Sequence, residues 1–263
     1  MTTEAVGLVR ATEAVGVVTS NESKIASIQG YLDRATGDLL ASLRNPAQLS
    51  AEERRGIIAR YAAVLEGNFI YWMTGAYISV GSDEARAKIM DNLREEVRDC
   101  HPGMMRRFAI AAHAIPTDAD AQAVYRNLMS VRLFIGRLSA VPILVTMAFF
   151  EGFIQRFMSY LAELAQRQGS AEMEYTDVHG VCDVTHTQEL FRALDAEMVL
   201  AHPLPEKDMF EGVELLRALI QSMVVNKRSM NTRRGSHVSQ GNGDLGDSED
   251  YGGRQEESAS SDR

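Results

Sequence analysis

What this 263-residue chain has little of narrows its class before any motif is considered. Cysteine is scarce: Cys100 and Cys182 are the two present, too few for a disulfide scaffold, which fits a reducing compartment. Basic residues are outnumbered, 27 Lys and Arg against 36 Asp and Glu, for a formal charge of -9. Phosphate binding depends on clustered Lys and Arg, and no basic patch stands out, so a nucleic-acid partner is disfavoured. The N-terminus lacks a basic stretch followed by an apolar one, so secretion is not indicated. The longest apolar run, residues 140–150, is too short to span a bilayer and ends at Glu151. These absences lead to the expectation of a cytoplasmic protein with no membrane partner. Period-two alternation and Gly-rich hairpin signals are also missing until the C-terminal tail, which argues against a sheet.

What is present reads as an all-α, single-domain bundle. Hydrophobic residues make up 45% of the chain and charged residues 24%, enough to bury a full core. Residues 1–19 have weak apolar periodicity and are expected to form a flexible arm. Helical spacing then runs over 20–44 and stops at Asn45-Pro46. Ser50-Ala-Glu-Glu53 has capping-box spacing and opens a helix to about residue 77. Ser82 opens the next, over 85–100, Pro102 interrupts it, and helix resumes over 104–114. Thr117 caps a helix reaching 138, and Pro142 occupies the first turn of a long one reaching 168. Further helices are expected over 173–200 and 206–226. From Ser229 the chain turns polar and Gly-rich, so 229–263 is expected to be a disordered tail, leaving 20–228 as the folded domain.

Within that bundle the most informative stretch runs from Asp177 to Glu189. His179, Asp183 and His186 stand at i, i+4 and i+7, so at about 100° per residue they share one narrow helical stripe. Such a stripe either faces solvent or holds a metal. Apolar neighbours Val181, Val184 and Leu190 point to a packed helix, in which a lone carboxylate and two imidazoles need partners.

Two further segments offer similar chemistry. Glu151 sits in the most apolar part of the chain, where a carboxylate must be protonated, paired or bound to metal; Arg132, Arg137 and Arg156 are candidate partners. In Asn92-Leu-Arg-Glu-Glu-Val-Arg-Asp-Cys-His-Pro102, Glu95 and Glu96 precede His101, and they either face solvent beside Arg94 and Arg98 or turn inward with it. Glu96 and His101 do not share a helical face, so both reach one ion only if the helix distorts. Together the segments supply three histidines and three carboxylates, a mixed N and O set that suits two iron ions better than one tetrahedral zinc or a thiolate-bound cluster. Cys100 and Cys182 read as small buried fillers.

Asn-Leu-x-Glu-Glu ending at Glu96, His-Pro at 101 and 102, Glu151, then His179-x3-Asp183-x2-His186 resembles the ligand pattern of the heme-oxygenase-like diiron oxygenases and oxidases. The resemblance extends over about residues 25–225. It implies a seven-helix heme-oxygenase-like bundle with iron bound by Glu96, His101, Glu151, His179, Asp183 and His186. The family often has a Gly and extra residues between the Glu pair and the His; here the interval is short, which leaves Glu95 as the alternate to Glu96. The resemblance further implies Fe2+ with O2 as co-substrate, an external electron donor and a small-molecule substrate. N-oxygenating members carry a further carboxylate from an earlier helix, and Glu66, near Asn68 and Trp72, stands where such an extra ligand would be. The expectation is therefore N-oxygenation of a small amine-bearing metabolite in a biosynthetic pathway, with desaturation or carbon-carbon cleavage of an amino acid or fatty acid as the alternative. Tyr61, Phe69, Trp72, Phe149 and Phe150 are candidate cavity residues, and the apolar helices would also admit a homodimer.

Overall fold

A computed structural model describes residues 3–225, with side-chain surroundings from Asn21 onward. Among the described residues it contains nine α-helices, one 3-10 turn and no strand. The first helix, α1 (Thr3–Ala41), runs through most of the stretch expected to be an arm. Ala5, Ala11 and Ala14 are the best of helix formers, and each glycine there costs only about 1 kcal/mol, so weak apolar periodicity did not preclude a helix. The tail expected from residue 229 lies outside the described residues.

Local signals set most of the remaining boundaries. Asn45 Oδ1 accepts a hydrogen bond from the Ala47 amide and opens the 3-10 turn Pro46–Gln48. At the start of α2 (Ala51–Ser79) the Ser50 hydroxyl accepts from the Glu53 amide while the Glu53 carboxylate accepts from the Ser50 amide. Helix α3 (Asp83–Arg98) is capped by Ser82. Helix α5 (Asp118–Ile135) starts with a second reciprocal box, Thr117 with Asp120. Each box satisfies amides that a helix start leaves free, worth about 1 kcal/mol.

The break between α3 and α4 (His101–Ala111) matters most for the site. Asp99 ends α3, Cys100 takes a left-handed conformation at φ 56°, and Pro102 occupies the first turn of α4. The chain changes direction within two residues. Cys100 is consequently exposed rather than a buried filler.

Helix α6 (Ala140–Gln166) is the central element. Its residues 141–151 are buried on every side, the pattern of a helix surrounded by others. It is long and apolar enough to cross a membrane by composition, yet 83% of that window is buried within the bundle, as in a core helix. Helix α7 (Glu174–Met198) packs along α6 and also meets α3 and α4, while α2 lies across α3, α4, α5 and α6. The final apolar stripe, expected as one helix, breaks at Phe210 into α8 (Glu206–Met209) and α9 (Glu211–Val224). Phe210 stacks on Tyr31 with ring centroids 3.8 Å apart. Glycine lets α9 approach closely: a Cβ on Gly212 would stand 2.1 Å from Thr146 Oγ1 and 2.4 Å from Phe134.

Candidate metal centre

Four helices converge on one buried group. Helix α3 contributes Asn92, Glu95 and Glu96, α4 contributes His101, α6 Glu151, and α7 His179, Asp183 and His186. Asn92, Glu96, His101, Glu151, His179, Asp183 and His186 are all buried. The stripe on α7 is therefore its inward face, and the apolar neighbours expected to bury it do the opposite: Val181 is 74% exposed and Val184 44%, with Leu190 alone of the three in the core.

Five residues of the implied ligand set fall into two separate groups, and the sixth, Glu151, stands beside the second. Glu96, His101 and His179 place ligand atoms within 4.8 Å of one another, as do Cys182, Asp183 and His186. In the first group Glu96 Oε1 is 2.7 Å from His101 Nδ1 and 4.0 Å from His179 Nε2. The left-handed turn at Cys100 is what makes this pairing reachable across a spacing that a continuous helix would forbid. In the second, His186 Nδ1 lies 3.7 Å from Glu151 Oε1 and 3.7 Å from Asp183 Oδ1. Asn92 Nδ2 donates to Glu151 Oε1 at 2.9 Å.

Electrostatics set this group apart from an ordinary buried polar network. Burial pushes the Glu151 carboxyl up, with His186 and Asn92 opposing, and burial together with the charge of Glu151 pushes Asp183 well up. The arginines named as candidate partners of Glu151 are elsewhere: Arg132 donates to Asn68, Arg137 pairs with Glu211, and Arg156 is exposed. Among the described residues, the ion-pair partners of Glu96, Glu151 and Asp183 are histidines. His101 is lowered by burial, but the hydrogen bond and charge of Glu96 outweigh this and raise it. Burial lowers His179 to about 4, against the opposing charge of Glu96. His179 is thus a neutral imidazole at pH 7. Its Nδ1–H donates to the Tyr175 carbonyl at 2.9 Å, which leaves the Nε2 lone pair facing Glu96. That is the tautomer a metal ligand requires.

Two observations test whether a cation fits. Asp183 Oδ2 and His186 Nδ1 are buried and have no hydrogen-bond partner, although leaving such atoms unpaired costs about 1–3 kcal/mol each. The 3.7 Å separations around His186 Nδ1 are too long for hydrogen bonds, and they suit N and O atoms each about 2.1 Å from one shared ion. Three imidazoles and three carboxyl groups, with buried ligand atoms left unpaired, fit a first-row metal such as iron.

Other residues take places that sequence reasoning had not assigned. Glu95, the alternate to Glu96, accepts from His186 Nε2 at 2.9 Å. Glu66, expected as an extra ligand, forms an ion pair with Arg106, its side chain 32% exposed, and lies outside both groups. Cys182 is half-buried and its thiol donates to Asp183 Oδ1 at 3.2 Å. Tyr175 packs against His179 with ring centroids 4.2 Å apart and shares a hydrogen bond with the Tyr61 hydroxyl at 2.9 Å. Its position four residues before His179 on one helix is the signal that would have found it.

A cavity of about 30 Å3 opens against the group, room for about two waters. Leu65, Phe69, Ile70, Met105 and Ile154 form its apolar wall, and Glu96, His101, Glu151, His179 and Asp183 its polar end. Of the five aromatic candidates for this wall, Phe69 alone lines it. Tyr61, Trp72, Phe149 and Phe150 belong to the core, where Trp72 meets Phe150 edge-on at 5.3 Å.

The sequence model of a family described as an iron-containing redox enzyme matches residues 58–219, a span that takes in every residue of this centre. No curated protein gives a significant match.

Proposed function

We propose a reaction from this premise: the chain belongs to the iron-containing redox enzymes of the heme-oxygenase-like diiron superfamily, and is an oxidoreductase. In our reading the centre holds two iron ions, one on Glu96, His101 and His179, the other on Glu151, Asp183 and His186, and it oxidises an aliphatic segment of a small molecule by desaturation or carbon-carbon cleavage. The ions would supply O2 reduction and the resulting oxidising equivalents.

The observation that carries the choice of substrate is the wall of the cavity. Leu65, Phe69, Ile70, Met105 and Ile154 carry no charge, so the counter-charges open to a cationic amine in this cavity are the carboxylates of Glu96, Glu151 and Asp183, which this reading gives to the ions; an ammonium left unpaired would be costly. The remaining polar side chain, Tyr175, has its hydroxyl engaged by Tyr61. The amine reading leaned on Glu66, whose carboxylate pairs with Arg106 and stands in neither ligand group. A methylene chain needs none of these groups and gains from each apolar contact.

The protein's own contribution is to orient and enclose. Tyr175 and Glu96 hold His179 and His101 in fixed orientations, Asn92 steadies Glu151, and burial keeps bulk water from the polar end. Removing two hydrogens from a substrate yields two electrons, whereas reducing O2 to water takes four, so an external donor provides the other two.

The test is anaerobic loading of the purified protein with Fe(II), then O2 exposure with straight-chain carboxylic acids and amines of matched length. Products lacking two hydrogens or one carbon support the reading. Oxygen added to nitrogen would overturn the choice of substrate, and turnover unaffected by a chelator would overturn the role of iron.

A further inference from the structure

We infer that Glu95 is a positioning residue that presents His186 to the metal through Nδ1. This rests on the reading of the centre as a metal site, and assigns Glu95 a part different from that of a ligand.

The inward face of α3 carries Asn92, Glu95 and Glu96, and each reaches a different helix. Asn92 meets Glu151 on α6, Glu96 meets His101 on α4, and Glu95 meets His186 on α7. The last contact is made at Nε2, whereas Glu151 and Asp183 lie 3.7 Å from Nδ1 of the same ring. The two nitrogens of an imidazole point to opposite edges, so Glu95 grips His186 from behind. A carboxylate can only accept, so Nε2 donates, and the tautomer that this contact selects is the one with its lone pair on Nδ1. That lone pair is the buried one without a partner, directed at the point shared by Glu151 and Asp183.

Exposure separates Glu95 from the ligand carboxylates. Its side chain is 44% exposed, against 5% or less for Glu96, Glu151 and Asp183. Glu95 stands at the solvent boundary while its partner ring is enclosed. A carboxylate in this place fixes both the tautomer and the ring angle of a ligand histidine and makes it a better donor.

Co(II), which takes N and O ligands and absorbs visibly, is the probe. Purified metal-free wild type, Glu95→Gln and Glu95→Ala are titrated anaerobically, and histidine tautomers in the same metal-free proteins are read from 15N correlation spectra. A glutamine oxygen still accepts from Nε2–H, so Glu95→Gln should bind Co(II) within about threefold of wild type and keep His186 protonated at Nε2. Glu95→Ala should weaken part of the Co(II) uptake by about 10–100-fold and let His186 populate both tautomers. Equal damage in Glu95→Gln and Glu95→Ala, with the tautomer unchanged, would show Glu95 to be a direct ligand and overturn the assignment. Wild-type behaviour of Glu95→Ala in both measurements would overturn it as well. A wild type that binds no Co(II) yet keeps the Nε2–H tautomer would sink the metal reading, and the positioning role with it; a wild type carrying its proton on Nδ1 would sink the positioning role alone.

Discussion

Replacing His179 by Asn separates the role of this ring in folding from its role at the centre. The amide of Asn can stand where Nδ1 stands and still donate to the Tyr175 carbonyl, but it has no counterpart to Nε2 and does not titrate. In the metal-free protein His179 lies at about 4, below the ordinary 6.5. As pH falls the unfolded chain takes its proton first, so the stability from this neutral ring is complete above about 6.5 and is lost as pH falls through about 4. At 1.36 kcal/mol per pH unit the interval amounts to roughly 3 kcal/mol, or roughly 6–12 °C in Tm for a domain of this size. Thermal unfolding of chelator-treated protein, followed by circular dichroism at pH 7.5 and pH 4.5, measures it. His179→Asn should be less stable than wild type at pH 7.5, because it leaves a space in a packed site, and the gap should narrow by roughly 3 kcal/mol at pH 4.5. Added Fe(II) should raise the Tm of wild type at pH 7.5 and leave that of the variant nearly unmoved. An equal gap at both pH values would refute the account of His179 as a neutral buried ring, and equal stabilisation by Fe(II) would refute its place in the centre.

Glu66→Gln should bind Fe(II) as wild type does and change stability by less than about 1 kcal/mol, since it removes only a partly exposed ion pair with Arg106; a loss of iron stoichiometry would restore Glu66 as a ligand. Gly212→Ala puts a methyl 2.1 Å from Thr146 Oγ1, so chemical denaturation should show a loss of about 1–3 kcal/mol with iron uptake preserved in the folded fraction. Ser50→Ala breaks the capping box and should cost about 1 kcal/mol near neutral pH. Glu53, held at about 2 by the Ser50 amide and then by Arg44, contributes stability that is present above 4.5 and lost as pH falls through about 2; the solvent around it keeps this below what the full interval would imply. Ile154→Trp fills the cavity and should depress substrate turnover by more than tenfold while Fe(II) binding holds, readable as product formation against iron content.

Much of this architecture was legible because it depends on neighbours in the chain. Helix starts at Ser50, Ser82 and Thr117 need only a hydroxyl and an amide two or three residues on, and the stripe of His179, Asp183 and His186 follows from helical pitch alone. The burial of Glu151 was legible too, since no apolar helix of that length leaves all its faces exposed. Other features were not. Adjacent residues on a helix diverge by about 100°, so spacing could not say that Glu95 and Glu96 would both turn inward and meet different histidines. Nor could it say that Glu66 would be drawn to Arg106, a residue 40 positions away that α4 places opposite it.

The all-α class, the order of the helices and the residue types able to bind metal were determined by the sequence itself, through periodicity and capping that act over a few residues. Which nitrogen of each histidine faces the centre, which carboxylates stand within reach and which side of α7 is buried were decided by tertiary structure. Those properties depend on how four helices cross, and the left-handed turn at Cys100 is the backbone feature that aims α4, and His101 with it, at the carboxylates of its neighbours.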